Sequence, residues 1–139
     1  MPTIALQHSQ TRSIAIAASP NAVLDVVANP LNLPRWAPRV APAIRSDQQL
    51  WVINRDGEEI YIRVRVNREH GTVDLLAANQ STRGAFTRVV PNGPGSEYLF
   101  TLFFPDGTEE TAIRDQMAIV DGELRAVREL CEAPDRAPC

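Results

Sequence analysis

Residues 108–132, TEETAIRDQMAIVDGELRAVRELCE, decide how this chain folds. The large apolar side chains of this stretch recur in steps of three and four, which places them on one stripe of an α-helix. The stripe consists of Ile113, Met117, Val120, Leu124, Val127 and Cys131. At 1.5 Å per residue such a helix is roughly 37 Å long, and it has a single apolar face. Residues upstream must cover that face, and whatever covers it determines the fold.

The ends of this helix are marked by the residues around it. Thr108 can cap its N-terminus, and Glu109 and Glu110 place negative charge in the first turn, where the helix dipole favours it. Pro134 ends the helix. Gly122 in mid-helix costs about 1 kcal/mol relative to alanine. We therefore expect a close approach between helix and sheet at Gly122, with residues 124–131 clamped on the sheet and residues 113–120 facing a cavity.

The segment from Ile44 to Phe104 reads as a meander of short strands. Glycine-containing turn pairs punctuate it, as at Asp56-Gly57 and Asn92-Gly93, and β-rich runs lie between them. In the run 60–66 the residues alternate between isoleucine or valine and Tyr61, Arg63 or Arg65. This alternation predicts an antiparallel sheet with one buried face and one solvated face.

The N-terminal part supplies one further strand and two short helices. Ser13–Ala17 alternates as a strand, and Ser19-Pro20 is a typical helix start. Asn29-Pro30 ends that helix, and 31–36 can form another short one. The fold class predicted is α+β, with a curved antiparallel sheet of six to seven strands wrapped around the long C-terminal helix. We expect one domain over 1–139, with 1–12 and 134–139 loosely ordered.

Composition excludes several classes of function. A net charge of −3 argues against nucleic-acid binding, which needs a basic surface. All 14 basic residues are arginine, so Schiff-base or lysine general-base chemistry is excluded. The chain has no cluster of histidine and cysteine ligands, so we predict neither a metal site nor a cofactor. No run approaches the ~20 apolar residues of a membrane span, and without a signal segment we expect a cytoplasmic protein.

Three stretches resemble the START/Bet v 1-like superfamily, also called SRPBCC. Residues 14–28, IAIAASPNAVLDVVA, resemble its first strand and helix, and residues 29–38, NPLNLPRWAP, resemble its second helix. Residues 89–102 and 115–132 are similar to small bacterial members described as polyketide cyclase/dehydrase-like. The resemblance implies a helix-grip fold with a cavity between helix and sheet. It does not imply one activity, because the superfamily includes lipid carriers, hormone receptors, cyclases and co-chaperones.

Candidate ligand-binding residues are those that this layout brings toward the cavity. Trp36 either stacks on a ligand at the cavity mouth or plugs the core, and Trp51 is a weaker candidate of the same kind. Met117 suits an adaptable apolar wall, although its stripe is also what a plain core requires. The full set of predicted ligand-binding residues is Trp36, Trp51, Ile62, Phe86, Phe100, Ile113, Gln116, Met117 and Val120.

Candidate catalytic residues are few. Tyr98, Phe100, Leu102 and Phe104 share one face of a strand, and the residues between them share the other. Both faces are mostly apolar, so the pattern leaves open which one points inward. If Glu97 points inward, burial would raise its pKa and make it a candidate general acid or base; otherwise it is a surface carboxylate beside a turn. Tyr98 and Arg83 are the other weak candidates.

Three functions remain from the sequence. The first is binding of a hydrophobic small molecule, a lipid or an aromatic polyketide-like compound, by a monomer or homodimer. The second is a cyclase or dehydratase that uses the same cavity, because templating with modest acid–base help is enough for such cyclisations. The third is a co-chaperone-like interaction module, for which the sequence offers no obvious exposed apolar patch because the outer face carries arginines. The identity of the ligand is not in the sequence.

Overall fold

The computed structural model describes residues 6–133, which form seven strands, three α-helices and one 3₁₀ turn. The strands are β1 (His8–Ile16), β2 (Ala43–Asp47), β3 (Leu50–Arg55), β4 (Glu58–Asn67), β5 (Thr72–Ala77), β6 (Gln80–Asn92) and β7 (Gly95–Phe104). The helices are α1 (Pro20–Val27), α2 (Leu33–Trp36) and α3 (Glu110–Glu132), and the 3₁₀ turn is Pro30–Asn32. None of the described helices is long and apolar enough to cross a membrane.

The strands form one antiparallel sheet in the order β1-β7-β6-β5-β4-β3-β2. Strands β2 to β7 are a meander of sequential neighbours, and β1 closes the sheet by pairing with β7 from His8 opposite Phe104 to Ile16 opposite Ser96. The sheet is curved, and α3 lies on one side of it. We call that side the concave face and the opposite side the outer face. This architecture confirms the predicted α+β helix-grip fold, including the two short helices after β1.

The short helix α1 starts where the sequence predicts it. The Ser19 hydroxyl accepts a hydrogen bond from the Ala22 amide at 3.3 Å, and Pro20 occupies the first helical position, where its missing N–H is not needed. Val23, Leu24 and Val27 are buried on one side of the helix. This apolar side packs against α3 and the β6–β7 part of the sheet, so that α1 closes one end of the grip.

Two polar contacts join helix α3 to strand β1 and to Ala17, the residue that follows it. The Arg12 guanidinium lies 3.4 Å from the Asp121 carboxylate, and the Glu132 carboxylate accepts a hydrogen bond from the Ala17 amide at 2.7 Å. These contacts join the middle and the C-terminal end of α3 to the edge strand. The N-terminal end of α3 has no such contact to the sheet among the described residues.

Three details of the sequence prediction are wrong. Thr108 does not cap α3, because its hydroxyl donates to the Pro105 carbonyl at 2.6 Å, and the helix begins at Glu110. Gly122 does not mark a close approach: a Cβ there would meet nothing nearer than the Arg125 guanidinium at 3.8 Å. The polar residues from Asn79 to Gly84 predict one of the turns of the meander, but β6 already begins at Gln80.

Strand β1 is longer than its alternating core. It begins at His8, so residues 8–12, part of the segment 1–12 that we expected to be loosely ordered, pair with β7. The expectation of loose order at the chain termini otherwise falls on residues 1–5 and 134–139, which lie outside the described residues.

Gly84 allows β5 and β6 to approach each other where the sheet bends. Its φ is +154°, and a Cβ at this position would overlap the Leu75 carbonyl. The β5–β6 register shifts between Leu76 and Ala77, opposite this glycine. Such a bulge increases local twist and bends the strand. The curvature that lets the sheet wrap around α3 therefore has a local cause in the sequence.

The outer face is more apolar than the arginine pattern suggests. Val52 and Leu76 are fully buried there, although neither belongs to the core beneath α3. Phe86 packs edge to face on Phe103, with ring centroids 5.9 Å apart, and Phe103 is 46% exposed. The arginines of this face form ion pairs across strands, as between Arg65 and Asp74 at 2.9 Å.

Candidate functional site

The structure decides which face of β7 points inward. Ser96, Tyr98 and Phe100 are buried on the concave face, and Leu102 and Phe104 follow them on the same side. The alternate residues of the strand face outward. Tyr98 therefore lies in the interior beneath α3, where its ring makes an edge-to-face contact with Phe100 at 6.5 Å between centroids.

One end of the concave face is only partly closed. Several apolar side chains of the concave face and of the N-terminal half of α3 pack against the core here and are only partly buried. Val64 pairs with Leu75 here, and Leu102 and Phe104 lie on the last residues of β7. We call this group the open end; it comprises Trp51, Val64, Leu75, Leu102, Phe104 and Ile113.

The other end of the concave face is sealed. Val120, Leu124, Val127 and Cys131 of α3 are all buried there, against α1 and the inner residues of β1, β6 and β7. We call these four residues the sealed end. The interior thus changes along α3 from half-exposed apolar side chains to a closed core.

Three buried polar atoms have no hydrogen-bond partner within the described part of the chain. They are the indole nitrogen Nε1 of Trp36, the hydroxyl of Tyr98 and the Oε2 oxygen of Glu123. A buried polar group without a partner costs about 1–3 kcal/mol, so such groups are rare and need an explanation. They come from three different elements, α2, β7 and α3, that enclose the same interior.

Glu123 is the buried carboxyl group of this set. Its side chain is 6% exposed, between Val120, Leu124 and Val127 of the same helix. Burial raises the pKa of Glu123 from its ordinary 4.5 to about 7. Among residues 6–133 burial is the only cause of this shift, and no arginine there offsets it. The group therefore changes its charge near neutral pH.

Tyr98 is completely buried, and burial raises the pKa of its phenol above the ordinary 10. Thr87 opposes this shift and Glu123 and Cys131 add to it, so these side chains lie within electrostatic reach of the phenol. The Thr87 hydroxyl donates to the Val73 carbonyl at 2.6 Å, however, and no hydrogen bond of good geometry joins it to the Tyr98 hydroxyl. The phenol stays protonated at physiological pH and can both donate and accept.

Glu123 lies on the flank of α3 that faces away from β1. Asp121, which pairs with Arg12 of β1, is two residues earlier and therefore about 200° around the helix. Gln116 is seven residues before Glu123 and lies almost on the same line along the helix. Gln116 is half-buried, so the line along the helix from the open end to the buried Glu123 has a polar residue at each end, with Ile119 and Val120 between them. Helix α2, which carries Trp36, also packs against α3.

The predicted ligand-binding residues fall into three places. Trp51 and Ile113 belong to the open end, with Ile62 of the concave face beside Trp51 across the β3–β4 pair and half-buried Gln116 on the same half of α3. Trp36, Phe100, Met117 and Val120 are buried in the core. Phe86 lies on the outer face instead, because Ala85, Thr87 and Val89 are the residues of β6 that point inward.

The predicted catalytic candidates do not come together. Tyr98 is interior, whereas Glu97 lies on the outer face, where it accepts a hydrogen bond from the Asn92 side chain at 3.0 Å. Arg83 is exposed near the start of β6. Neither Glu97 nor Arg83 can act on a molecule bound on the concave face from these positions.

Two surface depressions lie outside the interior. One, of about 520 Å³, lies on the outer face between Leu6, Arg65, Phe86 and Phe103. The other, of about 620 Å³, lies between the β6–β7 turn and the C-terminal end of α3, beside Arg128 and Glu132. Both are shallow and open to solvent, and neither contains the buried polar atoms. Within residues 6–133 no three His, Cys, Asp or Glu side chains are grouped as metal ligands would be.

Sequence reasoning missed Glu123 as a site residue. It is flanked by Val120, Leu124 and Val127 at spacings of three, one and four, which is a signal that a charged residue borders the buried stripe. The signal is weak, because a residue about 80° from the stripe centre can also turn its carboxylate to solvent. Only the packing of α1 and α2 beside α3 buries it here.

The comparisons with known proteins reach the fold and no further. No protein-family model matches the chain, and neither does any curated protein compared by sequence. The protein XoxI from Bacillus cereus matches with a TM-score of 0.67 at 20% identity, over 87% of this chain and 93% of that one. An Aha1 dimer from Colwellia psychrerythraea gives a TM-score of 0.68 at 15% identity, over 92% and 98%.

A third solved structure, Ara h 8.0201, gives a TM-score of 0.56 at 14% identity and covers 89% of this chain and 97% of that one. Likenesses at these identities are likenesses of fold. They are consistent with the helix-grip fold of the Bet v 1-like type, to which the sequence stretches quoted above also point.

Proposed function

We propose that this protein binds a hydrophobic small molecule, a lipid or an aromatic polyketide-like compound, at the open end of the concave face. One observation carries the proposal. Apolar side chains that the sheet directs toward its core remain partly exposed at the open end, where α3 has no buried residue before Met117, whereas the four α3 residues of the sealed end are all buried. An apolar surface that is concave, partly open and bordered by a few polar groups is what a small-molecule site requires.

The energetics of the open end favour an apolar ligand. Each Å² of apolar surface removed from water contributes about 25 cal/mol, and a ligand that covers Trp51, Leu102 and Ile113 also removes its own surface. Met117, buried next to the open end, is an unbranched side chain that can adjust to ligands of different shape. The fold tolerates such a site because α3 is held to the sheet at its middle and its C-terminal end.

Binding can be tested with a defined aromatic probe, 2-methylnaphthalene, together with native mass spectrometry of the protein as purified. We expect a saturable complex with the probe or a co-purified apolar molecule. The substitution Ile113→Glu places a charge at the half-exposed open end and should weaken probe binding at least tenfold. Phe103→Glu, which places the same charge on the exposed outer face, is the matched control and should not. Equal loss in both variants, or no binding at all, contradicts the proposal.

A second candidate function is a cyclase or dehydratase that uses the same cavity. The observation that favours it is Glu123, whose pKa of about 7 suits a general acid or base near neutral pH. Tyr98 would supply a hydrogen bond to a developing enolate. Incubation with a soluble aromatic poly-β-ketone, followed by absorbance, tests it: turnover must exceed the uncatalysed rate and fall at least a hundredfold in Glu123→Gln. Turnover that survives this substitution contradicts the role of Glu123.

A further inference from the structure

We propose that Trp36, Tyr98 and Glu123 form a subsite for a neutral hydroxyl group on the ligand. This inference rests on the proposed function and names the chemistry of the ligand's polar end. It starts from the three buried polar atoms without partners, which lie on three elements around one interior. Each of these side chains is more than nine-tenths buried, so solvent at the surface does not supply the missing partners.

The three groups differ in what they can donate and accept. The indole Nε1 of Trp36 only donates, so it needs a lone pair. The Tyr98 hydroxyl both donates and accepts, and the Oε2 oxygen of Glu123 accepts when the carboxyl group is ionised or when its proton is on the other oxygen. An alcohol or phenol oxygen has two lone pairs and one hydrogen. It can accept from Trp36 and Tyr98 and donate to Glu123, which would satisfy all three atoms at once.

A charged group on the ligand would match these donors and acceptors less well than a hydroxyl group. A carboxylate would bring a charge into a dry interior in which no arginine of residues 6–133 acts on Glu123 or could offset that charge, and burying an unpaired charge is costly. An ammonium group has no lone pair, so Trp36 Nε1 would remain without a partner. Arg12 pairs with Asp121 on the opposite flank of α3. A plain hydrocarbon would leave all three polar atoms unsatisfied.

The route to the subsite follows the line along α3 from Gln116 to Glu123. Gln116 stands at the open end and Glu123 two helical turns further in, with Met117 and Val120 beside that line. A ligand whose apolar body covers the open end would therefore extend its hydroxyl inward past Met117. The subsite thus gives a largely apolar cavity a preference for one polar substituent at one position.

The test compares three naphthalenes that differ only in the substituent at position 2. These probes are 2-naphthol, 2-methylnaphthalene and 2-naphthoate, and their affinities are measured by calorimetry at pH 6. We expect 2-naphthol to bind at least tenfold more tightly than 2-methylnaphthalene, and 2-naphthoate to bind more weakly than 2-naphthol. In Tyr98→Phe and Trp36→Phe the preference for 2-naphthol should fall below threefold. Tyr61→Phe, on the exposed outer face, is the matched control and should keep it.

A spectroscopic readout covers the case in which a variant does not fold. In the wild-type protein the indole N–H resonance of Trp36 should move downfield with 2-naphthol and not with 2-methylnaphthalene, while Trp51 responds to both. Equal affinity for the two probes, or a preference that survives both Tyr98→Phe and Trp36→Phe, overturns the hydroxyl subsite and leaves apolar binding intact. A crystal structure with only ordered water on the three atoms, and the hydroxyl elsewhere, overturns it as well. No binding of any probe contradicts the proposed function itself.

Discussion

The two halves of helix α3 have the same amphipathic sequence pattern and different surroundings. Before Met117 no residue of the helix is buried, although Ile113 lies on the stripe. From Val120 to Cys131 the stripe is closed under α1 and the sheet. The difference shows that an apolar stripe predicts where a helix can be covered, while the neighbouring elements decide how far it is. Substitutions on the two halves of α3 can test this difference.

Truncation of the stripe should affect the two halves unequally. Leu124→Ala at the sealed end removes a buried side chain and leaves a cavity, so we expect the free energy of unfolding to fall by about 3 kcal/mol. Ile113→Ala, at the open end, is the matched change and should cost about 1 kcal/mol or less, because Ile113 is already half-exposed. Urea denaturation measures both. Equal losses would mean that the open end is packed as tightly as the sealed end.

Glu123, which lies in the sealed half of α3, should make the free energy of unfolding depend on pH. Its pKa is about 7 in the folded protein and 4.5 when unfolded, so the folded state holds the proton more tightly. The stabilisation is fully present below pH 4.5 and is lost as pH rises through 7, with a total on the order of 3 kcal/mol. Glu123→Gln should therefore be more stable than the wild type at pH 8 and similar to it at pH 4.5.

The matched control for this pH effect is Glu129→Gln, on the exposed side of the same helix. Chemical denaturation at the two pH values should show no comparable change for it. A Glu123→Gln difference that is the same at pH 4.5 and pH 8 would contradict the raised pKa and would indicate an ordinary packing effect.

Gly122 offers a stabilising change between the two halves. A Cβ at this position meets only the Arg125 guanidinium at 3.8 Å, which is ordinary contact with a flexible group. Gly122→Ala should therefore raise the free energy of unfolding by about 1 kcal/mol, measured by thermal or urea denaturation. A loss of stability would instead support the close helix–sheet approach that the sequence suggested.

The ion pair between Arg12 and Asp121 should make the smallest of these contributions to the free energy of unfolding. Both side chains are more than a third exposed, so solvent screens the interaction. Asp121→Asn should lower the free energy of unfolding by about 0.5 kcal/mol at low salt, and this difference should shrink at 1 M salt. A loss several times larger would mean that this pair, and not the apolar stripe, holds α3 on the sheet.

The sequence predicts the fold better than it predicts the site. Helix periodicity, turn pairs and the Ser19-Pro20 helix start depend on local chemistry, and they place α1, α3 and the meander. The local sequence does not predict which face of β7 points inward, because both faces are apolar. Only the pairing of β7 with β1 and β6 decides that Tyr98 points inward. Phe86 was misplaced for the same reason: the small residues on either side of it are the ones that point inward.

Local sequence patterns do not predict which polar atoms are buried without a partner. Trp36 Nε1 and Glu123 Oε2 lose their access to water only because α1, α2 and α3 pack together over the sheet. Each of these residues, read alone, has an ordinary role as a core plug or a surface carboxylate. The combination that suggests a ligand subsite exists only in the assembled structure.

Binding at the open end of the concave face can be tested in a crystal soaked with 2-bromonaphthalene, because anomalous scattering locates the bromine atom without ambiguity. We expect a bromine peak on the concave face, between the N-terminal half of α3 and the side chains of Leu75 and Leu102. A peak only in the outer depression beside Phe86 and Phe103, or no peak at saturating probe, would contradict it.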